Sequence, residues 1–147
     1  MKIHKLGFTI ANSEDSEGFP QFLPTVDGHK EPASLLLLPL ELSATKDAIY
    51  PILNCGCGEW DCGGYFIEVK NTEEYVIWNA IYGLGNLRKK IEIVHALTPI
   101  HFLRKEYEAL INELLILKDN YKYEAIVYKI DKEQYEKSGL GSLAYFL

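Results

Sequence analysis

The chain has no excess of positive charge. Its 15 lysines and arginines stand against 21 aspartates and glutamates in 147 residues, a net charge of −6. An anionic chain repels phosphate backbones, which argues against general nucleic-acid binding. Long apolar runs are missing as well: the longest, Leu35 to Leu40, is far too short to span a bilayer. Met1-Lys2-Ile3-His4 opens a polar–apolar alternation instead of a charged region ahead of an apolar one. No signal peptide is therefore expected, and the expected location is the cytoplasm. Cysteine is scarce. Cys55, Cys57 and Cys62 lie within eight residues of one another, too few and too close for a disulfide framework. A Cys55–Cys57 bridge would close a small strained ring, so reduced thiols are expected. Repeats and low-complexity tracts are absent, and no Gly-Lys-Ser/Thr follows Gly83-Leu84-Gly85, which reads as a turn and not as a phosphate loop.

What is present is ordinary globular composition, 48% apolar and 24% charged, at a length that suits one domain over residues 1–147. Ile3–Ile10 alternates like a strand. Asn12–Gly18 is an acidic, turn-rich loop, and Phe19–Val26, with two prolines, is an edge strand or an irregular segment. Asp27-Gly28 signals a tight turn. Ser34–Leu42 reads as a strand buried on both faces and bent or edge-placed at Pro39. Tyr65–Val69 and Tyr75–Ala80 read as a hairpin across a polar turn. Leu84–Lys90 reads as a basic loop, followed by a short strand at Ile91–Leu97.

The clearest helix covers Leu103–Lys118. There Leu103, Tyr107, Leu110, Ile111, Leu114 and Leu117 share one face, and Asn120 is available as a left-handed cap. Tyr123–Ile130 reads as a strand and Asp131–Lys137 as a short helix capped by Gly139. The expected class is α+β: a mainly antiparallel sheet covered by one long helix.

The most informative stretch is Cys55-Gly56-Cys57-Gly58-Glu59-Trp60-Asp61-Cys62-Gly63-Gly64, a C-x-C-x4-C pattern threaded with glycine. Thiolates favour zinc, and glycine lets a short loop turn its N–H groups toward sulfur. A fourth ligand would come from His95 or His101 at a distance, or from Asp61 locally. Two other readings stand beside this one. Free cysteine is among the most buried residue types, so the thiols can simply pack. One cysteine paired with His95 or His101 would make a nucleophile, though no local signature supports it.

The run CGCGEWDCGGYFIEV, the following VIW, and the F-x4-Y segment from Phe102 to Tyr107 resemble a family of small bacterial proteins. Its members carry a cysteine–glycine cluster ahead of a strand pair with tryptophan in the second strand. The resemblance covers about residues 50–110 and matches Cys55, Cys57, Cys62 and Trp78. Leu103-Arg104 stands where the family pattern has an acidic residue, so the match is looser there. The family has no established activity, and the resemblance implies a class without a mechanism.

No catalytic constellation emerges elsewhere. Glu73-Glu74 and Glu14-Asp15-Glu17 fall in expected turns, Arg88-Lys89-Lys90 is a short basic run, and His4 and His29 have no ligand-like neighbours. Charge is uneven along the chain. Residues 1–80 hold 12 acidic and 5 basic side chains, residues 81–147 hold 9 and 10. An acidic half on a small domain would steer a basic protein partner toward it. Immunity proteins, which neutralise bacterial toxins, have this character: small, acidic, cytoplasmic and without catalytic residues. The candidate docking residues are Glu59, Trp60 and Asp61 at the cysteine turn, with Glu14, Asp15 and Glu17 in the first loop. A loop tryptophan between carboxylates suits a hot-spot anchor. A tryptophan folded back onto the sheet is the competing placement.

Overall fold

The computed structural model describes residues 2–12, 20–30, 33–54, 65–83, 86–90 and 99–138. Its strands are β1 (Ile3–His4), β2 (Leu6–Asn12), β3 (Pro20–Val26), β4 (His29–Lys30), β5 (Ser34–Leu35), β6 (Ala48–Asn54), β7 (Tyr65–Asn71), β8 (Tyr75–Gly83), β9 (Asn86–Lys90) and β10 (Ile100–Leu103). The α-helices are α1 (Leu37–Ser43), α2 (Arg104–Leu117) and α3 (Lys122–Ser138). The class is α+β. The larger sheet runs β1-β10-β8-β7-β6-β5, with β9 also on β8, and every pairing is antiparallel except β1 with β10. The smaller sheet is β2-β3-β4.

The N-terminal strand divides at Lys5, where the chain passes from one sheet to the other. Asp27 fixes the crossing: its N–H donates to the Lys5 carbonyl at 2.8 Å, and its Oδ1 accepts the Lys5 N–H at 2.8 Å. Asp27 and Gly28 have φ of 52° and 83°, the left-handed pair that a two-residue hairpin turn demands.

β3 is central only in part. Its second neighbour, β4, covers just Thr25 and Val26, so among the described residues no strand pairs with Pro20–Pro24 on that edge, as two prolines require.

The core lies between the larger sheet and helices α1 and α2. Val69, Val76, Trp78, Ile100 and Phe102 from the strands meet Tyr107, Leu110, Ile111 and Leu114 of α2. This is the helix face that the periodicity singles out. Leu103 departs from it: it ends β10 ahead of the helix and is exposed.

Four expectations need correction. Ser34–Leu42 is a two-residue strand followed by α1, because an unbroken apolar run carries no period to separate strand from helix. Pro39 sits in the first turn of α1, where its missing N–H would have had no helical partner. Tyr123–Ile130 is helical and merges with Asp131–Lys137 into α3, so the described residues hold three α-helices where one long and one short were expected. Asn86–Lys90 is a strand, paired on β8 at Tyr82↔Lys90 and Gly83↔Asn86; backbone ladder bonds need no apolar side chain. Asn120 ends α2 in a 3-10 turn and not as a left-handed cap. The expected strand at Ile91–Leu97, the loop at 13–18 and the Gly139 cap lie outside the described residues.

Strand β6 was not expected. It carries Pro51 within a register irregularity between Tyr50 and Leu53, a position where a strand tolerates proline.

Candidate functional site

The buried polar groups show which side chains the fold uses. Ser43 Oγ donates to the Leu40 carbonyl at 2.5 Å, so its one proton is committed there. The Tyr107 hydroxyl, 2.7 Å from Ser43 Oγ, must therefore donate to it, and accepts in turn from Trp78 Nε1 at 3.2 Å. The result is a one-directional chain from indole to hydroxyl to hydroxyl to carbonyl. Burial pushes the Tyr107 phenol up to about 12, against the pull of Ser43, Trp78 and Arg104, so it stays protonated at neutral pH.

Trp78 and Phe102 pack edge to face with centroids 5.0 Å apart, and Phe102 and Tyr107 lie 5.7 Å apart. The tryptophan and F-x4-Y positions that carry the family resemblance are thus core residues.

Arg104 opens α2 and ties it to the elements around it. Its guanidinium donates to the Thr72 carbonyl at 3.0 Å, the Ala44 carbonyl at 2.8 Å and Asn71 Oδ1 at 2.6 Å. Asn71 continues the network through Nδ2 to the Ser43 carbonyl at 3.0 Å and to Asp47 Oδ1 at 3.1 Å. This corner joins the end of α1, the β7–β8 turn and the start of α2.

The underside of α3 is less ordinary. Phe22 N–H faces the free edge of β3, and Glu124 Oε1 accepts it at 3.0 Å. Pro20 and Pro24 share that edge by strand alternation and have no N–H to offer. Glu124 therefore covers the single amide donor between them. One turn further, the Tyr128 hydroxyl donates to Glu41 Oε1 of α1 at 2.7 Å. Asp131 follows, buried, with Oδ2 lacking a hydrogen-bond partner among the described residues. Burial lifts the Glu124 carboxyl to about 7 although the Phe22 N–H pulls the other way, and burial alone lifts Asp131 to about 7.

The outer face of α3 is the reverse. Ile126 and Ile130 are 46% and 49% exposed, and Ile116 near the end of α2 is 73% exposed. A groove of about 370 Å³ lies between the turn before α3 and α3 itself, lined by Lys118, Asp119, Tyr128, Lys129, Lys132 and Glu133. Lys118 Nζ stands 4.9 Å from the Tyr128 ring centroid and 3.1 Å from Asp119 Oδ1.

The site residues expected from the sequence divide differently. Cys55, Cys57, Cys62, Glu59, Trp60, Asp61 and His95 lie outside the described residues. Their frame is described: β6 and β7 pair at Leu53↔Tyr65, so the cysteine segment joins two adjacent strands. His101 is half-buried in β10 with its ring edge-on to Tyr75, centroids 5.8 Å apart. Among the described residues no three histidine, cysteine or acidic side chains cluster as a metal site. No helix among them is long and apolar enough to cross a membrane. Sequence reasoning missed Glu124 and Asp131. Their only signal is the helical spacing of Glu124, Tyr128, Asp131 and Tyr135, which places them on one face. Comparison with family models, with curated proteins and with solved structures returns no match.

Proposed function

We propose that the chain is a non-enzymatic binding protein of the immunity type, a small acidic cytoplasmic domain that inhibits a basic partner such as a bacterial toxin. The observation that carries this reading is the exposed apolar surface of the two long helices. Ile116, Ile126 and Ile130 are large apolar side chains left exposed and open to a partner. The charge balance gives the sign of the partner: −6 overall, with the deficit concentrated in residues 1–80. The polar clusters at Tyr107 and Arg104 hold elements together, which fits a protein that works by contact. The test is co-expression with the product of the adjacent open reading frame. The two should co-purify at low salt, with an on-rate that falls steeply as salt rises. Absence of a complex at low salt would sink this reading.

A second reading rests on the cysteine pattern. Cys55, Cys57 and Cys62 fall within a connection whose ends are held side by side by the Leu53↔Tyr65 pairing, with His95 as a fourth ligand. On this reading the chain is a small zinc-binding domain. One zinc per chain in protein purified without chelator, lost on Cys57→Ser, would favour it over the first.

A further inference from the structure

α3 presents its faces the wrong way round. The two side chains of α3 buried below a tenth exposure are both carboxylates, Glu124 at 3% and Asp131 at 5%, while its isoleucines face solvent. At about 100° per residue the two acids lie within roughly 20° of each other, and the isoleucines lie roughly 100–160° round the helix from them. An amphipathic helix holds its place by burying its apolar stripe. α3 instead rests on Glu124 at the β3 edge, on Tyr128, which packs against the core and bonds Glu41 of α1, and on the Tyr121 ring ahead of it, 5.4 Å from Phe22.

We propose that α3 is a pH-gated latch over the free edge of β3: it docks while the Glu124 and Asp131 carboxyls are neutral and lifts away when they ionise. An ionised carboxylate in this position would be desolvated with little return. Among the described residues Asp131 Oδ2 has no donor, and Glu124 has one amide.

The surrounding charges do not offset this. From α1 the titratable group facing α3 is Glu41, an anion already engaged by Tyr128. β3 contributes none. The turn before α3 offers Lys118 and Asp119, which pair with each other. From α3 itself, Lys132 Nζ lies 5.8 Å from the Tyr128 ring centroid and Lys129 lines the outer groove. Tyr50 of β6 donates to the Lys46 and Leu42 carbonyls. Among the described residues neither buried acid has an ion-pair partner.

The sign follows from burial. Both carboxyls are raised to about 7, so their contribution to docking is complete below the ordinary carboxylate range and is lost as pH rises through 7. Release would free the Phe22 N–H between its two prolines, a short strand edge open to a new partner.

Amide hydrogen exchange at pH 6 and pH 8, corrected for the intrinsic rate, tests the latch on the unmodified chain. Protection over residues 124–135 should fall relative to α2 residues 107–114, by about tenfold for each acid and about a hundredfold for both. An unchanged ratio overturns the proposal. The double variant Glu124→Gln, Asp131→Asn keeps the size and one acceptor oxygen of each group and should hold the ratio constant with pH. A pH-dependent ratio in that variant also overturns it. If the variant does not fold, carboxyl-carbon NMR of the unmodified chain decides. Midpoints near 7 for both groups support the latch, and midpoints in the ordinary carboxylate range reject it.

Discussion

The Tyr107 hydroxyl stands between the Trp78 indole N–H, 3.2 Å away, and Ser43 Oγ, 2.7 Å away, and neither neighbour has another arrangement that satisfies all three. Tyr107→Phe keeps the ring volume but leaves the Trp78 N–H buried without an acceptor. The expected cost is about 1–3 kcal/mol, read from the urea midpoint. Ser43→Ala leaves the Tyr107 O–H unpaired instead and should cost a similar amount. Because the two residues share one chain of bonds, their double variant should cost less than the two singles added together. Strict additivity would show that the bonds are energetically independent.

Leu110 is buried on the α2 face that meets the sheet. Leu110→Asp places an unpaired charge there and should destabilise by about 4 kcal/mol or more, enough to unfold a marginal domain. Circular dichroism melting checks this; a wild-type melt would mean that α2 presents a different face.

Arg104 reaches acceptors on two separate segments, the Ala44 carbonyl after α1 and the Asn71 Oδ1 and Thr72 carbonyl at the β7–β8 turn. Lysine has one ammonium where arginine has a planar fork, so Arg104→Lys cannot span them. The expected loss is about 1–2 kcal/mol at constant net charge. Because the charge is preserved, the loss should depend little on salt, which distinguishes lost geometry from lost attraction.

Asp27 tests pH from the opposite side. Burial raises its carboxyl slightly, but the Lys5 N–H, the His4 ring 2.5 Å away and Lys2 outweigh this and leave it below its ordinary value. Its contribution is therefore present above the ordinary carboxylate range and is lost as pH falls through the depressed value. Asp27→Asn tolerates the left-handed φ of 52° and should flatten the acid limb of the stability curve. The effect should stay below about 1 kcal/mol, because the pair is partly exposed to solvent. An unaltered acid limb would show that other carboxyls dominate it.

How far the sequence reveals this fold depends on which residues carry the periodicity. α2 was legible because Tyr107, Leu110, Ile111 and Leu114 are both apolar and buried, so pattern and packing coincide. The β7–β8 hairpin was legible for the same reason, through Tyr65–Val69 and Tyr75–Ala80 around a polar turn. α3 was not. Its buried positions are Glu124 and Asp131 and its exposed ones include Ile126 and Ile130, so apolar periodicity points away from the helix. α1 failed for the opposite reason: Leu37, Leu38, Pro39 and Leu40 are all buried, and a run without polar residues has no phase. Of the resemblance, Trp78 and the F-x4-Y pair prove to be core, which explains their spacing without reference to a ligand.

The final prediction concerns Trp60 and the acids beside it. Trp78 is fully buried with its indole N–H bonded to Tyr107, so its emission should be blue and resistant to quenchers. Any red, quencher-sensitive emission of the native chain then belongs to Trp60, the other of its two tryptophans. Such emission is expected if Trp60 stands free as an anchor between Glu59 and Asp61. A wholly blue, unquenched spectrum would place Trp60 against the protein and remove it from the docking surface. Charge reversal at its flanks, Glu59→Lys with Asp61→Lys, shifts the net charge by four units toward positive. Capture of a basic partner should slow several-fold, most strongly at low salt, because steering acts over a Debye length of about 10 Å at 0.1 M. If recognition runs through these two charges, thermal stability should remain near that of the parent while capture slows. Undiminished capture with intact stability would assign recognition elsewhere, and the exposed isoleucines of α3 would be the next surface to alter, with Ile126→Glu and Ile130→Glu as the probes.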